Sequence, residues 1–412
     1  MRVFILQNGL TTKATHFYNE SRTWLDCCAR EGIPCRILAH RTASQEVIDD
    51  LDATACFPAA PDATFYVDTK GTKGRPQAPL ETAFAETCHR AMGAEMRPGD
   101  IVIVPYARAP EIGGLARWLD RLEPQHRPFV VATMHRPEEE WEVDESRTKV
   151  HGNRDEISEA AQRMVSLATN GWLLLATNEP LAEIMSTALK LKVSVTAPFF
   201  SYALQERWLG EHGEATWPTF KDQTFDIGML GQFRAEKGGT VAIEGLALAL
   251  QARPGLEVLY HVRDQDTGRL LNAQMSRVKG TGRVNLLVGE TSTEEFQMAV
   301  GACRLVLLPY NPARYRARIS GPLVEAAAWG RPVVVPDDTW MADMVKAGNV
   351  AGRVFEAFDP DNIAAAIIVA LDAREQLDTR AQSLAPAWRQ ERSIERALDL
   401  ILDHVRGFRN AA

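Results

Sequence analysis

The sequence predicts an α/β protein made of two doubly wound parallel-sheet domains, and three observations lead there. Short apolar runs rich in β-branched residues alternate with helical stretches along most of the chain, the pattern of strands buried on both faces by helices. The polar, Gly- and Pro-containing stretch 203–224, LQERWLGEHGEATWPTFKDQTF, interrupts that rhythm and reads as a link between domains. After it, two segments each run from a strand into a basic, glycine-bearing loop and then a helix.

In order, Val3 to Leu6 reads as a first strand, Tyr18 to Glu31 as an amphipathic helix ending near Gly32, and Cys35 to Ala39 as the next strand, one βαβ unit. Asp100–Val104, Phe129–Ala132, Trp172–Ala176 and Val193–Val195 continue the series as short buried strands. A second series begins at Ile227 and continues through Leu256–His261, Val284–Leu287, Leu305–Leu308 and Pro332–Val335. Between Ser393 and Val405, residues Ile394, Leu398, Ile401, Leu402 and Val405 share one face of a last helix.

At 412 residues the chain exceeds one ordinary core and suits two domains. Hydrophobic residues make up 45%, charged residues 24%, and the formal net charge is -8, which argues against a basic nucleic-acid-binding surface. Residues 1–200 carry 22 basic and 27 acidic side chains and the remainder 24 and 27, so neither half is polarised. Cys27, Cys28, Cys35, Cys56, Cys88 and Cys303 show no Cys-x-x-Cys spacing, which suits reduced thiols in a cytoplasmic setting better than a zinc ribbon or disulfide framework. The start reads as a strand rather than a signal peptide, and no run approaches the roughly 20 apolar residues of a membrane span. The charged stretch 137–164, with Glu138, Glu139, Glu140, Asp144, Glu145 and Glu156, reads as a solvated face rather than a metal site, and 68–80 as an exposed loop.

The richest chemistry lies in the second half. Leu305–Leu308 leads into a loop with Arg314, Arg316 and Arg318, and Ser320-Gly321-Pro322 opens an Ala-rich helix closed by Gly330. Such a helix start offers amides and a positive dipole end to phosphate, and Glu325 sits one turn further in, where a carboxylate can hold ribose hydroxyls. Asp226–Gly239, DIGMLGQFRAEKGG, repeats the design with Arg234, Lys237 and a Gly-Gly turn. An arginine fork and a lysine together neutralise a diphosphate without a metal ion.

On these residues the chain resembles the C-terminal half of GT-B glycosyltransferases, in particular the large retaining family-4-like group, whose motif is a strand followed by Gly-x-x-x-x-x-Lys-Gly; Gly231 and Lys237-Gly238 match it. The resemblance implies two Rossmann-like domains facing each other across a cleft: residues 1–205 for the acceptor, 225–385 for the nucleotide sugar, and a last helix, 386–412, returning to the first domain. It implies that Arg234 and Lys237 grip the donor diphosphate, that Ser320-Gly321 offers amides to it, and that Glu325 binds the ribose. It also implies a glycine loop near the donor, here Gln7-Asn8-Gly9, and a histidine after the Phe129–Ala132 strand that contacts the transferred sugar, here His135. His16 has a weaker claim near the acceptor, and Asn178-Glu179-Pro180 reads as a structural turn. One departure stands out: the group carries a first glutamate eight residues before the second, and this chain has Ala317 there. Tyr315, Arg316 or Arg318 are the candidates to replace its contacts.

The activity implied is transfer of a sugar from a nucleoside-diphosphate sugar to an acceptor hydroxyl, with retained configuration, no metal and no cofactor beyond the donor. A carbohydrate or glycolipid acceptor of a bacterial surface-polysaccharide or glycolipid pathway is the default by analogy, with peripheral contact to the inner face of a membrane. An NAD-dependent oxidoreductase is disfavoured, since Asn-Gly-Leu-Thr-Thr-Lys follows the first strand in place of Gly-x-Gly-x-x-Gly. A GT-B-fold epimerase and a degenerate transferase that only binds nucleotide sugar or a partner are the alternatives.

Overall fold

The computed structural model describes residues 1–58, 77–93, 96–135, 154–197, 200–213, 218–231, 235–262, 264–269 and 283–411. The chain divides into two compact units, Met1–Ser201 with Arg392–Ala412, and Tyr202–Glu391.

In the first unit, β1 (Val3–Gln7), β2 (Cys35–His40), β3 (Thr54–Phe57), β4 (Ile101–Val104), β5 (Phe129–Met134), β6 (Trp172–Ala176) and β7 (Ser194–Val195) form one sheet in the order β3-β2-β1-β4-β5-β6-β7. Every pairing is parallel, from Val3 opposite Cys35 and Ile101 to Leu175 opposite Ser194. The central strands β1, β4 and β5 are buried throughout, which is why they read as unbroken apolar runs. The second unit repeats the plan with β8 (Phe225–Met229), β9 (Glu257–Val262), β10 (Arg283–Val288), β11 (Cys303–Leu307), β12 (Val333–Pro336) and β13 (Gly352–Phe355), ordered β10-β9-β8-β11-β12-β13 and again all parallel. In both sheets the order reverses beside the first strand, between β1 and β4 and between β8 and β11. Loops leaving the carboxyl ends of such a pair diverge and leave room for a ligand.

The structure adds two strands that sequence reading passed over, β3 and β13. Each is an edge strand with mixed burial, so neither presents an apolar run. The stretch 203–224, read as a link, contains the helix Ala203–His212 of the second unit, whose Gln205 is fully buried. Of 68–80, the described part from 77 begins the helix Gln77–Met92; the rest of that segment and most of the acidic stretch 137–164 lie outside the described residues.

The last helix, Ile394–Ala411, belongs to the first unit and packs against the helix His16–Arg30. Its Ile394, Leu398, Ile401, Leu402 and Val405 join Trp24, Cys28 and strand residues of β1 and β4 in one core. Phe200 N donates to Arg392 O at 3.1 Å, and Arg30 pairs with Glu395 at 2.6 Å. No described helix is long and apolar enough to cross a membrane.

If that helix is integral to the first core, Ile401→Ala, at a position 1% exposed, is expected to cost about 2–5 kcal/mol. Val369→Ala, at a position 49% exposed, is expected to stay within about 0.5 kcal/mol. Urea unfolding of the two variants checks this, and equal midpoints would remove the helix from the core.

Candidate functional site

In the second unit the backbone itself dictates the site. Past β8 the chain turns at Gly231 (φ +96°), where a Cβ would lie 3.0 Å from Lys237 Nζ and 3.1 Å from Pro322 Cγ. A one-turn 3-10 segment, Ala235–Lys237, leads to Gly238 (φ +107°), where a Cβ would stand 2.6 Å from the Pro309 carbonyl oxygen. Both positions combine a left-handed backbone with close contact, which glycine alone tolerates. The physical reason for the Gly231…Lys237-Gly238 spacing is therefore visible. The loops after β8 and β11 touch at Gly238 and are tied by Asn311 N donating to Glu236 O at 2.9 Å.

Lys237 is delivered between these loops. Its Nζ donates to Gly231 O at 2.5 Å and lies 5.4 Å from the centroid of the Tyr310 ring. A pocket opens here, lined by Met229, Leu230, Gly231, Lys237, Tyr260, His261 and Tyr310. His261 contacts Gly289 O through Nε2 at 2.8 Å, and burial, reinforced by the charge of Lys237, pushes its pKa below the usual imidazole range.

Close by, Ser320 caps the helix Gly321–Ala328, its Oγ accepting from Leu323 N at 3.3 Å. Val324 N donates to Ser320 O at 3.1 Å, and Pro322 has no N–H. Among the described residues this leaves, of the first four positions, the Gly321 amide for an anion, and a Cβ at Gly321 would meet nothing within 4 Å. The helix start is thus open, and Pro322 beside Gly231 brings it to the lysine loop.

Glu325, expected from the sequence to hold ribose hydroxyls, already has partners within the second unit. It is buried, and each carboxylate oxygen accepts one amide: Oε2 from Gln205 at 2.7 Å and Oε1 from Gln297 at 3.0 Å. Burial raises its pKa to about 7, with the two glutamines pulling the other way. Arg316 pairs with Asp343 at 2.7 Å and lies 3.8 Å from Asp338, while Arg318 is half-buried just before the cap. Ala317 is buried, and Tyr315 packs on Tyr310 with centroids 4.5 Å apart. Arg234 falls outside the described residues.

In the first unit, the candidates gather at the carboxyl ends of β1, β4 and β5. His135 follows β5 and stacks on Tyr106, centroids 4.2 Å apart at 16°, while its Nε2 contacts Pro105 O at 2.8 Å. Phe17 meets Tyr106 edge-on at 5.0 Å, and exposed His16 packs on Phe17 at 4.0 Å. Gly9 lies beneath Phe17, where a Cβ would be 2.5 Å from Cε2, so packing explains this glycine. Asn178 caps the helix Glu179–Leu189, its side chain accepting from Leu181 N at 2.8 Å, the structural role expected of that turn.

Below this aromatic group lies Glu20, 6% exposed and facing Tyr106, Trp24 and Gln7. The polar groups of Tyr106, Trp24 and Gln7 favour the charged carboxylate, but less than burial disfavours it. Burial pushes Glu20 up to about 8. Sequence reading missed Glu20, Tyr106, Gln205, Gln297, Tyr260 and His261. Only Tyr106 carried a signal, as the second residue after a strand at the sheet's point of reversal.

Residues 224–373 match the family model described as "Glycosyl transferases group 1". No curated protein matches the chain by sequence. Among solved structures, HepE of Anabaena, determined with UDP, is similar over 100% of this chain and 99% of its own, at 14% identity and TM-score 0.59. Sucrose-phosphate synthase of Thermosynechococcus elongatus is similar over 100% of both chains, at 13% identity and TM-score 0.62. A UDP-forming α,α-trehalose-phosphate synthase of Burkholderia xenovorans is similar over 98% of both, at 11% identity and TM-score 0.64. With its two all-parallel sheets, the fold is that of the GT-B glycosyltransferases.

The raised carboxyls make stability depend on pH in a defined direction. Below about 4.3, the ordinary glutamate value, both native and unfolded chains hold the Glu20 proton and the group is neutral to folding. From there to about 8 the native state keeps a proton that the unfolded chain releases, so stability falls as pH rises, and above about 8 the loss is complete. Glu20→Gln is expected to remove that share of the slope, with a gain over the wild type that grows from pH 5 and levels off near 8. Parallel denaturation curves across that range would refute the buried, proton-holding carboxyl.

Proposed function

We propose that the chain is a glycosyltransferase that moves a sugar from a nucleoside-diphosphate sugar to an acceptor hydroxyl with retention of configuration. The observation that carries this reading is the meeting of Lys237, the Gly231 turn and the open helix start at Ser320-Gly321 within the residues that match the group 1 model. A lysine ammonium and an amide on a positive helix end form a site for a diphosphate, whose charge grows as the anomeric bond breaks. Arg234, three residues before Lys237, is assigned to the same diphosphate from the sequence. UDP in the HepE structure and in the name of the trehalose-phosphate synthase supports uridine diphosphate as the leaving group here.

In the reaction, the acceptor oxygen forms its bond to the anomeric carbon on the face from which the diphosphate departs, and the acceptor proton leaves with the diphosphate. Lys237 and the Gly321 amide hold the departing charge, and transfer proceeds without a metal ion. Glu325 reaches the ribose through the lone pairs its carboxylate keeps after accepting from Gln205 and Gln297. His135 is assigned to the transferred sugar from the sequence resemblance, and Arg318 is assigned the contacts that Ala317 cannot make. The acceptor is a carbohydrate or glycolipid of bacterial surface-polysaccharide or glycolipid synthesis, met in the cytoplasm or at the inner face of the membrane.

Ala317 favours a second reading, a degenerate transferase that binds a nucleotide sugar without turning it over. Thermal unfolding with a panel of nucleoside diphosphates and nucleotide sugars separates the two when combined with product analysis. A bound ligand at 100 times its dissociation constant stabilises by about 2.7 kcal/mol. Lys237→Ala is expected to abolish that shift and to cut turnover by about two orders of magnitude or more, while EDTA leaves wild-type turnover unchanged. Wild-type-like turnover in the variant would overturn the diphosphate assignment, and binding without product across a broad acceptor panel would select the degenerate reading.

A further inference from the structure

We propose that the hydroxyl of Tyr260 is a further hydrogen-bond donor to the diphosphate, which makes the end of β9 a wall of the donor site. The inference rests on the reading of Lys237 as the grip on that diphosphate. Tyr260 is 1% exposed, and its hydroxyl is buried with no hydrogen-bond partner among the described residues. A buried hydroxyl without a partner costs free energy that a phenylalanine of the same shape would not incur. The hydroxyl therefore stands out as a group that a ligand could satisfy. Tyr260 lines the same pocket as Lys237, Gly231 and Tyr310.

Several features make an anion the fitting partner. The Lys237 ammonium supplies positive charge at the pocket, and Gly231, whose Cβ would stand 3.0 Å from that ammonium, adds no side chain of its own. Burial raises the Tyr260 phenol well above its ordinary value, so the group stays protonated and able to donate at neutral pH. His261, the next residue along β9, is held near neutral charge by burial and by Lys237, so it adds no competing cation. A phosphoryl oxygen resting against Lys237 would accept a charge-assisted hydrogen bond from the phenol O–H, the stronger kind.

Isothermal titration of UDP, GDP, ADP, pyrophosphate and uridine into the wild type, Tyr260→Phe and Lys237→Ala tests this. For the nucleoside diphosphate that binds the wild type, Tyr260→Phe is expected to raise Kd by about tenfold to a hundredfold, the loss of one hydrogen bond to a charged group. Any uridine binding should be unchanged, and the ligand-free melting temperature unchanged or higher, which excludes a folding defect. If Tyr260→Phe binds like the wild type while Lys237→Ala does not, the diphosphate site stands and the Tyr260 assignment is wrong. If Lys237→Ala also binds like the wild type, or no phosphate compound binds the wild type, the underlying donor-site reading fails and the proposal falls with it.

Discussion

The contact of Gly238 with the Pro309 carbonyl is the constraint from which the rest of the second unit's site follows. β8 and β11 are neighbours at the reversal of the sheet, so the loops leaving them would ordinarily diverge. Here they are drawn together at one point, where a side-chain carbon would stand 2.6 Å from a backbone oxygen. Once residue 238 sits there, Lys237 has little choice of direction, and its ammonium falls over the Tyr310 ring of the opposite loop. The helix beginning at Gly321 is the continuation of that second loop. An amide end and a lysine supplied by different strands are thereby fixed to one another by backbone contact rather than by side-chain packing, the more rigid of the two ways to hold a charged site.

The charged groups around this point differ in how readily a ligand can recruit them, and burial decides the ranking. The Arg316–Asp343 pair is about half exposed on both sides, and exposed pairs of this kind are worth only ~0–1 kcal/mol. Glu325 is the opposite case, since its carboxylate is buried and each oxygen already accepts an amide from a buried glutamine. Breaking either bond would leave a buried donor unpaired, so a ligand hydroxyl gains more by sharing the carboxylate than by displacing a glutamine. Gln205 and Gln297 thus set the orientation of Glu325 before any ligand arrives.

Much of this architecture was legible in the sequence because parallel strands buried on both faces are mostly apolar, and β1, β4, β5 and β12 are buried along their whole length. The edge strands β3 and β13 escaped because half-covered strands keep polar residues. The site divided along the same line between local and long-range information. Gly231, Lys237, Gly238, Ser320 and Gly321 were readable because their roles depend on backbone conformation within a few residues. The glutamines on Glu325, separated from it by 120 and 28 positions, were not readable, since nothing local distinguishes a clamping glutamine from a solvated one. Gly9 shows the reverse hazard. Its loop position suggested room for a ligand, yet the missing side chain is explained by the Phe17 ring lying across it.

Ala317 is better understood as part of a differently packed loop than as a single lost carboxylate. Position 317 is buried, so a glutamate there, with neighbours unchanged, would carry a charge into the interior without a built partner. The neighbouring Tyr315 is buried too, its ring against Tyr310, and Tyr310 lies under the Lys237 ammonium. The two tyrosines, their rings tilted at 50° to one another, form a support that runs from the middle of this loop to the lysine. A ring face near an ammonium attracts it through the ring quadrupole. Where the resemblance leads one to expect an acid, this loop supplies aromatic surface, and that surface bears on Lys237.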